Sequence, residues 1–133
     1  MLGRALSGLA ILSASASALC GQIARRWTYP AGETPPMHLV FEPGGKLVFE
    51  AGFEYWNPAR WVYDSGAGEL RITIPKLRRE AAAGIEYDVS AHRVKGYDPS
   101  TKTIVYQFGD TTTSLTLGGW VFFRDSTPPP PHR

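Results

Sequence analysis

The residues best suited to binding chemistry lie around one Asn-Pro step in the first half of the chain. Within eleven residues, the segment 53–63 carries five aromatic side chains, at Phe53, Tyr55, Trp56, Trp61 and Tyr63. Aromatic rings stack on the flat faces of sugars and anchor protein partners at interfaces. So many rings around a turn indicate a binding surface.

Four residues of this aromatic turn are the predicted binding residues: Tyr55, Trp56, Asn57 and Arg60. Asn57 and Arg60 would add directional hydrogen bonds to the two rings. For the rings themselves a second interpretation stays open, in which they fill the protein core. Trp61 and Tyr63 alternate with charged neighbours, which predicts that these two belong to the core.

The histidines do not form a metal-ligating pattern. A metal site needs at least three converging ligands. His38 is predicted to point outward between two core positions of a strand, His132 lies near the end of the chain, and His92 stands alone. The single cysteine, Cys20, excludes a cysteine-based zinc site and an internal disulfide. We predict no metal and no other cofactor.

One group has the residue types of nucleophilic catalysis. Asp88, Ser90 and His92 are spaced two apart and would share one face of a predicted strand. A serine nucleophile also needs an oxyanion hole and an exposed elbow, and the sequence contains no G-x-S-x-G motif. The spacing is more typical of a solvated strand face. We therefore predict no catalytic residue and no enzyme activity.

A short basic cluster, Lys76, Arg78 and Arg79, has two interpretations. It can contact anionic lipid headgroups or an acidic partner. It can also be a solvated helical turn in which Glu80 offsets part of the charge, and this second interpretation is favoured.

The overall charge excludes one class of partner. The 133 residues carry 14 Lys and Arg against 12 Asp and Glu, a net charge of +2. Binding to the backbone of nucleic acids relies on a stronger basic excess, so no nucleic-acid partner is predicted. The length suits one domain and leaves little room for a second.

The first twenty residues have the order of a bacterial export signal. Arg4 is followed by an apolar stretch, 5–12, and then by small residues. A membrane anchor is the alternative, but the apolar stretch is too short to cross about 30 Å of hydrocarbon. We therefore predict a signal peptide over 1–20 and export to the periplasm, the outer membrane or the medium.

Two processing routes stay open at the end of this signal. Signal peptidase can cut after Ala16 or Ala18, where small residues alternate. Alternatively, Cys20 is the site of lipidation, since Ser17-Ala18-Leu19-Cys20 resembles a lipobox in which the aliphatic and small positions are exchanged. Lipidation of Cys20 is the only membrane contact that we predict.

Strand periodicity dominates the rest of the chain. Apolar residues alternate with polar ones between turns rich in Gly, Pro, Asn and Asp, which is typical of antiparallel strands. The turns are expected at 43–45, 65–68, 109–111 and 118–119. The pattern predicts an all-β antiparallel meander of eight to nine short strands in one domain, 21–125. A barrel and a sandwich both fit this spacing, and the barrel is favoured because consecutive hairpins can close without leaving a long exposed edge.

Two segments depart from this periodicity. Residues 76–84 are rich in helix formers, follow Pro75 and end at Gly84, so one short helical turn is expected there. Residues 85–91 alternate again and predict a strand, with a bulge near His92. The tail 126–133 holds four consecutive prolines and is predicted to be a flexible extension.

The chain resembles the small secreted bacterial lipocalin-like barrels. The resemblance lies in Trp27, in the hairpin 39–47 and in Trp61-Val62-Tyr63-Asp64 followed by Glu69-Leu70-Arg71-Ile72. It covers about half of the exported chain and consists of hairpin pattern only. It implies a small barrel that serves as a binding or inhibitory module.

Two functional hypotheses follow. In the first, the chain is an exported, non-enzymatic module of the cell envelope that binds a small apolar ligand inside a lipocalin-like barrel. In the second, it is a periplasmic inhibitor or immunity-type protein that binds an envelope protein through the aromatic turn 53–63. An open apolar cavity inside the barrel would favour the first, and a filled interior with a protruding aromatic turn would favour the second.

Overall fold

A computed structural model describes residues 18–30 and 35–125. Residues 1–17 of the predicted signal peptide and the proline-rich tail 126–133 lie outside the described residues. No helix in the described part of the chain has the length and apolar character that a membrane span requires.

Nine strands form one antiparallel sheet, curled into a half-barrel. The strands are β1 Arg26–Tyr29, β2 Met37–Phe41, β3 Lys46–Glu50, β4 Ala59–Asp64, β5 Glu69–Thr73, β6 Gly96–Asp98, β7 Thr103–Gln107, β8 Ser114–Leu117 and β9 Trp120–Arg124. Their order across the sheet is β6-β7-β5-β4-β3-β2-β1-β9-β8. The predicted all-β, barrel-like antiparallel fold is confirmed.

The hairpins follow from alternation and turn chemistry, as expected. In the hairpin of β2 and β3, Leu39 pairs with Phe49 and Phe41 with Leu47, so all four side chains face the interior. Gly118 and Gly119 have positive φ angles of 59° and 87°, which the tight turn between β8 and β9 requires.

The two ends of the half-barrel carry different loops. One end, which we call the aromatic end, carries the connections from β3 to β4, from β5 to the helix that follows it and from β8 to β9. The other end, the N-terminal end, carries the turns 42–45 and 65–68. Residues 18–23 are helical beside the N-terminal end, where Ile23 is fully buried and its carbonyl accepts a hydrogen bond from Trp27 Nε1 at 3.1 Å.

The helical segment is longer than predicted. Helix α1 spans Arg79–Ser90, so the helical turn expected near 76–84 is confirmed and continues further along the chain, whereas the strand expected over 85–91 is wrong. Gly84 does not end the helix but lies within it, beside Gly118, where a Cβ would make an ordinary van der Waals contact at 3.5 Å from the Gly118 Cα. Residues 85–90 belong to this helix, in which Tyr87 is exposed and Ile85 and Asp88 are buried.

Helix α1 lies where the sheet does not close. The edge strands β6 and β8 do not pair with each other in the described residues, and α1 contacts both. Asp88 is fully buried, and its Oδ2 accepts a hydrogen bond from the backbone N–H of Gly119 at 3.2 Å. Its Oδ1 has no hydrogen-bond partner in the described structure. The predicted solvated face of Asp88, Ser90 and His92 is therefore wrong, since the three lie on or after a helix and Asp88 is in the core.

A second polar contact lies at the gap between β6 and β8, where it joins β7 to β8. The buried Tyr106 hydroxyl of β7 donates to the carbonyl of Thr116 on β8 at 2.9 Å. Burial raises the pKa of Tyr106 far above the ordinary value of 10.0, and the nearby negative charge of Asp88 adds to the increase. Tyr106 therefore stays protonated and serves as a fixed donor between β7 and β8.

We expect Tyr106→Phe to lower the free energy of unfolding by about 1 kcal/mol, because the Thr116 carbonyl loses its donor. The loss is measured by urea denaturation at pH 7. Tyr87→Phe is the control, since the Tyr87 side chain is 64% exposed. Equal stabilities for wild type and Tyr106→Phe would contradict the role assigned to this hydroxyl.

The same variant also tests the pKa of Tyr106. Above pH 10 the unfolded chain loses the tyrosine proton and the folded chain keeps it, so the stability of the wild type falls as pH rises. The fall is smaller in Tyr106→Phe, as measured by urea midpoints at pH 9 and 11. Parallel midpoints in the two proteins would contradict the raised pKa.

Candidate functional site

The aromatic turn reverses the chain at the aromatic end through an unusual backbone. Ala51 and Phe53 have positive φ angles of 62° and 58°, in the left-handed region that costs a non-glycine residue about 1 kcal/mol or more. A 3-10 helix, Glu54–Trp56, follows. Its first bond runs from the N–H of Trp56 to the carbonyl of Phe53, at 2.9 Å.

Asn57 holds this turn against the sheet. Its Oδ1 accepts from the backbone N–H of Phe49 at 2.9 Å, and its Nδ2 donates to the Phe49 carbonyl at 3.1 Å. The side chain therefore acts as an extra strand partner at the end of β3. Asn57 was predicted as a binding residue, but in the structure its side-chain oxygen and nitrogen both bond to the backbone of Phe49.

The two neighbouring rings of the turn have opposite environments. Trp56 is only 6% exposed, stacks on Phe53 with ring centroids 4.4 Å apart and meets Phe49 edge-on at 5.4 Å. Tyr55 is 69% exposed and stands nearly perpendicular to Trp56, with ring centroids 5.7 Å apart. Trp56 therefore supports the turn, and Tyr55 projects from it.

A cleft of about 830 Å³ opens beside these rings. We call it the aromatic cleft; its walls are Tyr55, Trp56, Lys76, Arg78, Glu80 and Ala81. The strand order explains why these residues lie together. Strands β3, β4 and β5 are neighbours in the sheet, and both the β3–β4 turn and the connection from β5 to α1 lie at the aromatic end. The aromatic turn and the basic cluster, which are separate in the sequence, thus line one site.

A second cleft, of about 690 Å³, continues along α1. We call it the helix cleft; it shares Lys76, Arg78 and Glu80 with the first. Its further walls include Arg79, Glu86, Tyr97 and Lys102. Burial raises the pKa of Tyr97, with Glu86 and Asp98 adding to the effect, so this hydroxyl is neutral at pH 7.

The cations of these clefts take part in none of the salt bridges found among the described residues. In the described ranges, no carboxylate forms an ion pair with Lys76, Arg78 or Arg79. Lys102 donates to the carbonyl of Pro75 at 3.2 Å. By contrast, Arg71 and Lys95 on the outer wall both contact Glu69, which lowers the pKa of that carboxyl.

The other predicted residues lie elsewhere. Arg60 is exposed on the outer face of β4 and lines neither cleft. Trp61 is buried as predicted, and its Nε1 donates to the carbonyl of Glu42 at 2.9 Å. Tyr63 is half-buried against Phe108. Cys20 lies near Tyr63 at the N-terminal end, and burial raises the pKa of the Tyr63 hydroxyl.

The interior of the half-barrel is occupied by side chains. Its fully buried residues include Trp27, Phe41, Phe49, Phe108, Phe122 and Leu70. Trp27 meets both Phe41 and Phe108 edge-on, with ring centroids 6.1 Å apart in each case. The aromatic cleft and the helix cleft open to the surface, and neither is lined by these six residues.

The histidines and carboxylates do not converge. Among residues 18–30 and 35–125, no three His, Cys, Asp or Glu side chains are grouped as metal ligands. His38 Nδ1 lies 3.0 Å from the hydroxyl of Thr28, and His92 is exposed just after α1. His132 lies outside the described residues.

Comparisons with protein-family models, with curated proteins and with solved structures give no significant match to this chain. The site is therefore interpreted from its own geometry.

Truncating the two rings should have unequal effects on stability. We expect Trp56→Ala to lower the free energy of unfolding by about 3–5 kcal/mol, because it removes a buried ring from between Phe53 and Phe49. Tyr55→Ala should change it by less than about 0.5 kcal/mol, since the side chain is mostly solvated. Thermal midpoints of both variants measure the difference. A comparable loss in both would mean that Tyr55 belongs to the core.

Proposed function

We propose that this chain is an exported, non-enzymatic binding module that engages an envelope protein through the aromatic cleft. The observation that carries the proposal is the exposed Tyr55 ring, held on a rigid turn at the edge of a cleft of about 830 Å³. Interface hot spots are commonly aromatic or arginine side chains beside well-packed neighbours. Tyr55 and Arg78 supply both types here.

The rigidity of the turn supports the same function. Asn57 and the stack of Phe53 on Trp56 fix the backbone from which Tyr55 projects. A preformed turn loses little conformational freedom on binding, so more of the contact energy contributes to affinity. An exposed ring on a mobile loop would not have this advantage.

Packing favours a protein partner over the small apolar ligand. A lipocalin-like site needs an open, mostly apolar cavity of about 300 Å³ or more. Rings from several strands meet at the centre of this half-barrel, and the described clefts lie on its outside. The small-ligand hypothesis stays a prediction without a described cavity to support it.

The placement of Cys20 is compatible with a lipid anchor. Cys20 lies at the N-terminal end of the half-barrel, and the aromatic cleft lies at the opposite end. A lipid on Cys20 would therefore hold the N-terminal end at the membrane and leave the cleft facing a partner. This orientation is part of the proposal and depends on export.

The proposal predicts that Tyr55→Ala loses the partner. Wild type, Tyr55→Ala and the control Tyr87→Ala are immobilised and exposed to envelope extract, and the captured protein is identified and titrated by calorimetry. We expect Tyr55→Ala to bind at least tenfold more weakly, as for a hot-spot residue. Tyr87 has a similar exposure outside both clefts, so its variant should bind like wild type.

Two outcomes would contradict this function. One is capture that is equally strong with Tyr55→Ala, which would remove the aromatic cleft from the interface. The other is saturable, one-to-one binding of the apolar dye N-phenyl-1-naphthylamine, which would favour the small-ligand hypothesis.

Processing gives a separate prediction. After expression in a bacterial host, mass spectrometry of the purified protein should detect a chain that begins at Ser17, at Leu19 or at an acylated Cys20. An intact Met1 in all of the protein would contradict export.

A further inference from the structure

We propose that the aromatic cleft recognises an acidic peptide segment of the partner, in which carboxylates flank an apolar or aromatic anchor. This inference rests on the proposed function, because it assigns the partner chemistry at the same site. It follows from three features of the clefts: their charge, the angle between their rings and their concave shape.

The first feature is a local charge excess. The two clefts bring together four cations, Lys76, Arg78, Arg79 and Lys102, against the carboxylates of Glu80 and Glu86. Since no ion pair within the described ranges involves the four cations, their charge is available to an incoming anion.

The second feature is the arrangement of the two rings. One face of Trp56 is covered by Phe53, at an interplanar angle of 6°, and only 6% of the Trp56 side chain is exposed. Tyr55 stands at 75° to Trp56 and is 69% exposed. Tyr55 therefore supplies the ring that an apolar or aromatic anchor of the peptide can contact.

The third feature is the concave placement of the cations. They line clefts that also contain Glu80 and Glu86. A planar anionic membrane would bring its charges to both carboxylates and could not follow the clefts. An extended peptide can place its carboxylates beside Lys76 and Arg78 and keep them away from Glu80. Recognition of a chain segment therefore suits this arrangement better than adsorption to lipid.

The test uses a defined probe, a random copolymer of glutamate and tyrosine in a ratio of four to one. Binding is measured by fluorescence anisotropy. We expect it to be saturable and to weaken as the salt concentration rises from 50 to 500 mM. Lys76→Gln/Arg78→Gln should bind about 5- to 30-fold more weakly, because two charges leave the cleft. The matched control is Lys46→Gln/Arg93→Gln, which removes one exposed lysine and one exposed arginine from outside both clefts.

Polygalacturonate and phosphatidylglycerol vesicles provide the alternative ligands. Tighter binding of either one through Lys76 and Arg78 would overturn the peptide assignment in favour of a glycan or a membrane. Equal losses in the cleft variant and its control would also overturn it, since the effect would then be general charge. Absence of binding to the copolymer would have the same consequence.

A further comparison separates this inference from the proposed function. Partner capture is repeated with Lys76→Gln/Arg78→Gln beside Tyr55→Ala. Loss with Tyr55→Ala alone would refute the acidic segment and leave the protein-binding function intact. Full capture with both variants would refute the function and the inference together.

Discussion

The structure depends on how its sheet is closed at the gap between β6 and β8. A curled sheet with two unpaired edges exposes backbone donors and acceptors that would otherwise pair with another chain. Helix α1 lies between these edges, and two buried polar side chains form hydrogen bonds at the junction. Asp88 binds the turn between β8 and β9, and Tyr106 joins β7 to β8. The helix thereby belongs to the wall of the half-barrel.

This closure also builds the candidate site. β5 ends at the aromatic end, so the segment 74–78 that leads from β5 to α1 lies beside the aromatic turn. Lys76 and Arg78 belong to this segment and line the aromatic cleft together with Tyr55 and Trp56. The site is thus a consequence of the junction: a chain that closed its sheet by pairing β6 with β8 would not need the basic segment at this place.

Local patterns predicted the hairpins, because each one is encoded within about fifteen residues. Alternation set the inward face of Leu39 and Phe41, and Pro43-Gly44-Gly45 set the reversal. The helix was partly missed for the opposite reason. Ile85, Tyr87 and Val89 alternate like a strand, but the contacts of α1 with β6 and β8 and the hydrogen bond from Gly119 to Asp88 are made with the helical spacing that buries Ile85 and Asp88. Such tertiary selection leaves no signal in a short window of sequence.

The aromatic turn illustrates where a site can and cannot be predicted. Composition identified the segment, but not which ring would be buried, since that depends on the left-handed backbone at Ala51 and Phe53. This backbone turns Trp56 onto Phe53 and sends Tyr55 outward. A fold that needed only a tight connection could use glycine at both positions. At Phe53, however, the side chain is needed despite the strained backbone, because its ring is the surface on which the buried Trp56 stacks.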